Sequence, residues 1–185
     1  MSAPYVTPLT AAQLSELAPV AQELARVPGG GRGMTAKGEF EVKVTAQASD
    51  DKTLGRLLID KTFQGGLTGQ SSGQMLSAGA AVKGPAGYVA IEKVSGTPQD
   101  RSGTFVLQHS GILNWGEAQL TVRVVPDSGT NELAGLAGNM AIKITGGKHF
   151  YEFDYTLEAD RPPTISKESE PAANRFPIAT GLVPS

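Results

Sequence analysis

Residues 102 to 111 read Ser-Gly-Thr-Phe-Val-Leu-Gln-His-Ser-Gly. Between its glycines, Phe105, Leu107 and His109 fall on one face of an extended chain and Val106, Gln108 and Ser110 on the other, the period of two that a strand imposes. The same grammar extends on both sides. Residues 39–48 alternate Phe40, Val42, Val44 and Ala46 against Glu39, Glu41, Lys43 and Thr45, as expected when one face is buried. Further strands are predicted at 55–64, 68–79, 87–96, 103–111, 117–125, 136–145 and 148–158, which makes eight with the first. Gly65-Gly66, Gly84-Pro85, Pro98-Gln99-Asp100, Asn114 to Gly116, Asp127-Ser128-Gly129 and Gly146-Gly147 punctuate them. Several connections span two to four residues, so sequential antiparallel neighbours form a meander. A meander of eight such strands closes, because closure removes both edges and leaves an interior wide enough for side chains or one small ligand. The fold class is therefore all-β, an eight-stranded antiparallel closed barrel.

Length and composition bound the rest. The 185 residues suit one domain with appended segments. Sixteen Lys plus Arg against 18 Asp plus Glu give a net charge of -2, no field to gather nucleic acid or an anionic membrane, so neither is an expected partner. With no cysteine, disulfides, thiolate metal ligands and thiol nucleophiles are excluded. No apolar run approaches the ~18 residues of a membrane span. The start Met-Ser-Ala-Pro-Tyr lacks the basic and apolar regions of a secretory signal, so a cytoplasmic location is expected if that start is native. Residues 1–33 form an N-terminal extension: Thr10 and Gln13 stand at capping-box spacing, Leu14, Leu17, Ala21 and Leu24 make one apolar stripe, and Pro19 demands a kink or restart in a helix over 10–27. Pro28 to Gly33 is a glycine-rich linker. The barrel occupies 34–158, and 159–185 is a polar, proline-containing tail in which Ile165 and Phe176-Pro177-Ile178 offer docking points.

Five segments carry a family resemblance: Gly-Glu-Phe-Glu-Val-Lys at 38–43, Asp-Lys-Thr-Phe-Gln-Gly-Gly-Leu-Thr-Gly at 60–69, Glu-Lys-Val-Ser-Gly-Thr at 92–97, Arg-Ser-Gly-Thr-Phe-Val-Leu-Gln-His-Ser-Gly at 101–111, and the run from Val124 to Gly138. In order and spacing they resemble a bacterial family, domain of unknown function 3224, over about residues 34–158. That resemblance implies a barrel similar to allene oxide cyclase and dirigent proteins, with an apolar cavity and no cofactor. It implies a mode of action in which the barrel holds a reactive apolar molecule in one conformation while it cyclises or couples. It names no activity for the family itself.

Three residues are candidates for chemistry. Glu92 is in phase with Tyr88, Ala90 and Val94, so a carboxylate enters the barrel if that face is the inner one, and it then needs a partner or a raised pKa. Lys61, in phase with Leu57, Ile59 and Phe63, is the partner in view. The pair reads either as a structural bridge across adjacent strands or as a device that steers charge or moves a proton. His109 reads either as a cavity-lining acid or base or as a packed or barrel-end histidine, and Tyr88 as an assisting hydroxyl. His149 and the Glu152/Asp154 pair read as solvent-facing, because Tyr151, Phe153, Tyr155 and Leu157 make the apolar face of the last strand.

The expected cavity lining is Lys61, Phe63, Met75, Phe105, Leu107, Met140, Tyr151, Phe153 and Tyr155, with Trp115 at a turn closing a cavity mouth or covering a barrel end. Two distant histidines without cysteine offer no metal site. Gly29 to Gly33 lacks the lysine of a phosphate loop, and Gly-Gln-Ser-Ser-Gly at 69–73 lies within a strand, unlike a nucleophile elbow. The expected function is a barrel binding a small apolar molecule, acting as a cofactor-free isomerase or cyclase. The alternatives are a binding protein without chemistry and a structural barrel; a homo-oligomer is compatible with all three.

Overall fold

The structure, a computed structural model, describes residues 33–50, 53–79 and 85–157. The helix expected at 10–27 and the tail from 159 lie outside the described residues. Eight strands run in order as β1 (Met34–Gln47), β2 (Gly55–Gly65), β3 (Leu67–Gly79), β4 (Ala86–Pro98), β5 (Gly103–Asn114), β6 (Glu117–Val124), β7 (Ala137–Thr145) and β8 (Lys148–Thr156). Each pairs antiparallel with the next, and β8 returns to β1, so the sheet is a closed barrel. The β6–β7 seam is the thinnest of the circuit, with a single registered pair, Arg123 opposite Asn139.

Turn chemistry sets the short connections. Gly146 and Gly147 both have positive φ, at 59° and 77°, between the paired residues Thr145 and Lys148. That is the two-residue hairpin whose twist matches its strands and which glycine enters without a Cβ penalty. Trp115 and Gly116 make the corresponding turn between Asn114 and Glu117, with Trp115 held at a φ of 50°. The long connection from Val125 to Leu136 is different: it contains a single 3-10 turn, Asn131–Leu133, and folds over one end of the barrel. Its side chains complete β5, where the Thr104 amide donates to Thr130 Oγ1 at 2.9 Å and the Val106 amide to Ser128 Oγ at 3.0 Å. Those donors would otherwise lie unpaired where β6 has already left the sheet.

The interior divides into two halves and a polar layer. At the end sealed by this connection, Leu133 and Leu136 pack with Phe40, Phe63, Leu67, Phe105, Leu107, Phe153 and Tyr155 in one apolar cluster. The rings meet closely: Phe105 stacks on Phe153 at 5.5 Å, Phe153 on Tyr155 at 4.9 Å, and Phe63 meets Tyr151 edge-on at 5.6 Å. Toward the other end the inward side chains are smaller or only partly buried: Leu57, Ile59, Met75 and Ala90 cluster with Val42, Val44 and Tyr88, and Leu113 and Ala118 cluster with Ala86 and Tyr88. The outer wall is not uniformly polar, since Leu76, Val89, Ile91 and Ile112 are exposed on β3, β4 and β5. Among the described residues no helix is long and apolar enough to cross a membrane.

Candidate functional site

The polar layer between the two halves is made by four side chains from four consecutive strands. Glu92 on β4 is fully buried, Lys61 on β2 is 7% exposed and His109 on β5 is 3% exposed. Lys61 Nζ donates to Glu92 Oε2 at 2.7 Å. His109 Nε2 lies 2.8 Å from the same oxygen, but its ring is not aligned for a straight N–H···O bond. The hydroxyl of Ser71 on β3 donates to Glu92 Oε1. Both carboxylate oxygens are thereby engaged, as a buried charge requires.

Strand register explains how the groups meet. Alternation along β2, β4 and β5 places Lys61, Glu92 and His109 on the inner face, with Glu92 opposite Leu107 and Ala90 opposite His109. The expectation of a Glu–Lys bridge across adjacent strands needs correction, because β3 lies between β2 and β4. Glu92 reaches over it because its partner on β3 is Gly73, where a Cβ would come within 3.1 Å of the Glu92 Cβ and 2.7 Å of the Ile91 carbonyl oxygen. The adjacent residue on the same inner row, Ser71, is itself opposite Lys61. Ser71 is the site residue that sequence reasoning missed. Its signal was available: it falls in phase with Met75, inside the Gly-Gln-Ser-Ser-Gly segment set aside as a mere strand.

Electrostatics sorts the protonation states. Burial alone would raise the Glu92 carboxyl, but the Lys61 ammonium and the contact with His109 outweigh it and hold the group well below the carboxylate range. His109 is pushed below its ordinary value of 6.5 by burial, which the neighbouring carboxylate only partly offsets, so the imidazole is neutral near pH 7. Burial, and then the charge of Glu92, raises the Tyr88 hydroxyl far above its usual range and keeps it a phenol. Lys61 also lies over the Phe40 ring at 4.9 Å and near the Phe63 ring at 5.8 Å, so its outer side faces aromatic electron density. On the same side, His149 is partly buried, its ring 5.1 Å from Phe40. Its pKa is lowered by burial and by Lys61.

The other candidates fall into distinct places. Phe63, Phe105, Leu107, Met140, Tyr151, Phe153 and Tyr155 are buried together in the sealed half. Tyr151 has a structural task there, since its hydroxyl accepts from the Leu67 amide at 2.8 Å and stitches β8 to the β2–β3 turn. Met75 lies in the other half, beside Leu57 and Ala90. Trp115 is 69% exposed on the β5–β6 turn, so its ring stands away from the core instead of covering the barrel end. Glu152 and Asp154 are partly exposed, Glu152 pairing with Lys37 at 3.0 Å. Among the described residues no group of three or more His, Asp or Glu side chains is placed to hold a metal ion.

Chemically, the layer combines a fixed carboxylate, a compensating ammonium and a neutral imidazole inside an apolar enclosure. Such an arrangement can accept a proton on the imidazole while the carboxylate stabilises the cation formed. No curated protein matches the chain. A crystal structure of a protein of unknown function from the DUF3224 family of Shewanella oneidensis MR-1 is similar, with 50% sequence identity and a TM-score of 0.66, covering 69% of this chain and 98% of that one. The model of the family described as "Protein of unknown function (DUF3224)" matches residues 36–155, the whole circuit of the barrel from β1 to β8, and the chain belongs to that family.

Proposed function

We propose that the barrel binds a small, largely apolar molecule in the half lined by Leu57, Met75, Ala90, Leu113 and Ala118, and that the buried polar layer beneath it gives cofactor-free isomerase chemistry. The observation that carries this reading is the Lys61–Glu92–His109 constellation, buried inside the barrel and joined by Ser71. Charged groups gain little stability from burial compared with well-packed apolar residues. A neutral histidine beside a fixed carboxylate is, by contrast, a poised proton acceptor. In this mechanism His109 takes a proton from a carbon next to a polarised group of the guest. Glu92 stabilises the imidazolium, and the proton returns at a second position, so that guest and isomer have the same composition. The wall restricts the conformations from which this occurs. The resemblance to allene oxide cyclase and dirigent barrels supports the same mode, at the level of fold.

A second reading, binding without turnover, is favoured by the saturation of Glu92, whose two oxygens already hold Ser71 and Lys61. The two part in deuterium oxide. The compound retained by the protein from its host, identified after extraction, is incubated with fresh protein and followed by NMR. Isomerase chemistry introduces carbon-bound deuterium at a rate that falls at least 100-fold in His109→Gln, in keeping with general-base catalysis. Recovery of the compound without deuterium leaves the binding reading alone standing.

A further inference from the structure

Among the described residues nothing covers an apolar strip on the outer wall of the barrel. Leu76, Val89, Ile91 and Ile112 are each 49% to 54% exposed. Register makes them neighbours: Leu76 stands opposite Val89, Ile91 lies two residues along β4 from Val89, and Ile112 stands opposite Gly87, which has no side chain to interrupt the strip. A concavity of about 1190 Å³ runs along this face and takes in Leu58 on β2 as well. Single exposed apolar residues are ordinary, whereas a contiguous set across adjacent strands marks a docking surface. The start of the barrel lies at the head of this wall. The Thr35 carbonyl accepts from Gln99 Nε2 at 3.0 Å, which ties the first residues of β1 to the turn that follows β4.

From this we infer that the strip is the docking surface for residues 10–27 of the same chain, the segment outside the described residues whose sequence predicts an amphipathic helix. Pro19 divides that helix into pieces too short to persist alone in water, so the stripe of Leu14, Leu17, Ala21 and Leu24 needs an apolar surface to form against. The dimensions agree. Residues 28–33 reach about 20 Å when extended, and the strand from Pro98 back to Ile91 is about 24 Å long. Leu24 therefore arrives at the level of Ile91. From Leu14 to Leu24 a helix spans about 15 Å, and from Ile91 to the level of Ile112 the wall spans about 14 Å, so stripe and strip match in length. A second copy on the same face would leave the stripe of 10–27 still unburied. The tail also leaves from this end, since Tyr155 stands opposite Met34, but it holds its apolar points, Ile165 and Phe176-Pro177-Ile178, without helical spacing. This docking is independent of what the lumen holds.

Hydrogen exchange on the full chain tests this, together with engineered disulfides in a sequence that has no cysteine of its own. Amides within 10–27 should exchange at least tenfold more slowly than those of an unstructured chain. Val89→Asp with Ile91→Asp should return them to within about twofold of that chain while the β5 amides keep their protection. Oxidation should join Leu24→Cys to Ile91→Cys within one chain at least tenfold faster than Leu24→Cys to Lys143→Cys, whose side chain is exposed on β7. The disulfide rates decide the matter should the wall variant fail to fold. Unprotected amides in the wild type, protection that survives the wall variant, or equal rates for the two disulfides overturns docking at this face. Protection that appears only where light scattering shows a dimer gives the strip to a second copy, and protection confined to 159–185 gives it to the tail; either result overturns the inference as well. None of these outcomes bears on ligand binding in the lumen.

Discussion

Lys61 Nζ and Glu92 Oε2 lie 2.7 Å apart inside the barrel, on strands separated by β3 and joined across Gly73. Removing either partner strands the other in a low-dielectric interior. Lys61→Met and Glu92→Leu should each destabilise the fold by about 3–5 kcal/mol, whereas the double variant Lys61→Met with Glu92→Leu should cost less than the sum of the single changes by at least ~1 kcal/mol. Urea unfolding of the four proteins measures this, and strict additivity would mean that the two groups do not form one unit.

The same layer makes the fold acid-labile in two stages. His109 is below its ordinary value of 6.5 in the native state, so on acidification the unfolded chain takes up the proton first and stability falls with pH from about that value. Glu92 is likewise depressed from 4.5, so its contribution is present above that value and is lost as pH falls toward its native pKa. One group changes stability by at most about 1.4 kcal/mol per pH unit. Unfolding free energies between pH 7 and pH 4 should decline in the wild type, and His109→Gln should lack the first stage. An identical slope in the two proteins would place the acid response elsewhere.

Gly111 is a close-approach position. With a Cβ 2.2 Å from Tyr88 Cε1, Gly111→Ala should destabilise by about 1–3 kcal/mol and displace the ring. Combining it with Tyr88→Ala should relieve most of the additional cost, which thermal unfolding of the single and double variants reads directly.

Tyr151 carries the stitch between β8 and the β2–β3 turn. Tyr151→Phe leaves the buried Leu67 amide without its 2.8 Å partner and should cost about 1–3 kcal/mol. Hydrogen exchange at the Leu67 amide should accelerate in that variant; unchanged protection would mean that another acceptor replaces the hydroxyl.

The barrel was legible because alternation in a closed sheet is strict. Leu57, Ile59, Lys61 and Phe63 read as one face and are one face, and the same holds for Tyr88, Ala90, Glu92 and Val94. β1 begins at Met34, before the expected Phe40 run, since its first inward positions are Ala36 and Gly38 and small residues leave no apolar signature. The pairing of Glu92 with Lys61 was visible as complementary charges in phase. Its path over Gly73 was not, because register between strands that are not neighbours has no period in the sequence. Ser71 and Ser77 went unread for a related reason: serine itself marks neither face, and their phase with Met75 was the one signal that pointed them inward. Trp115 misled because an aromatic beside a turn usually covers something, whereas this one is largely exposed on its two-residue hairpin.

Native mass spectrometry of the protein purified from its host, with and without a lumen-filling Met75→Trp change, tests the central claim most directly. The account predicts a stoichiometric, uncharged apolar molecule on the unmodified protein that denaturation releases and that the variant lacks. The bare chain mass in both, together with no thermal shift across a panel of small apolar compounds, would contradict it.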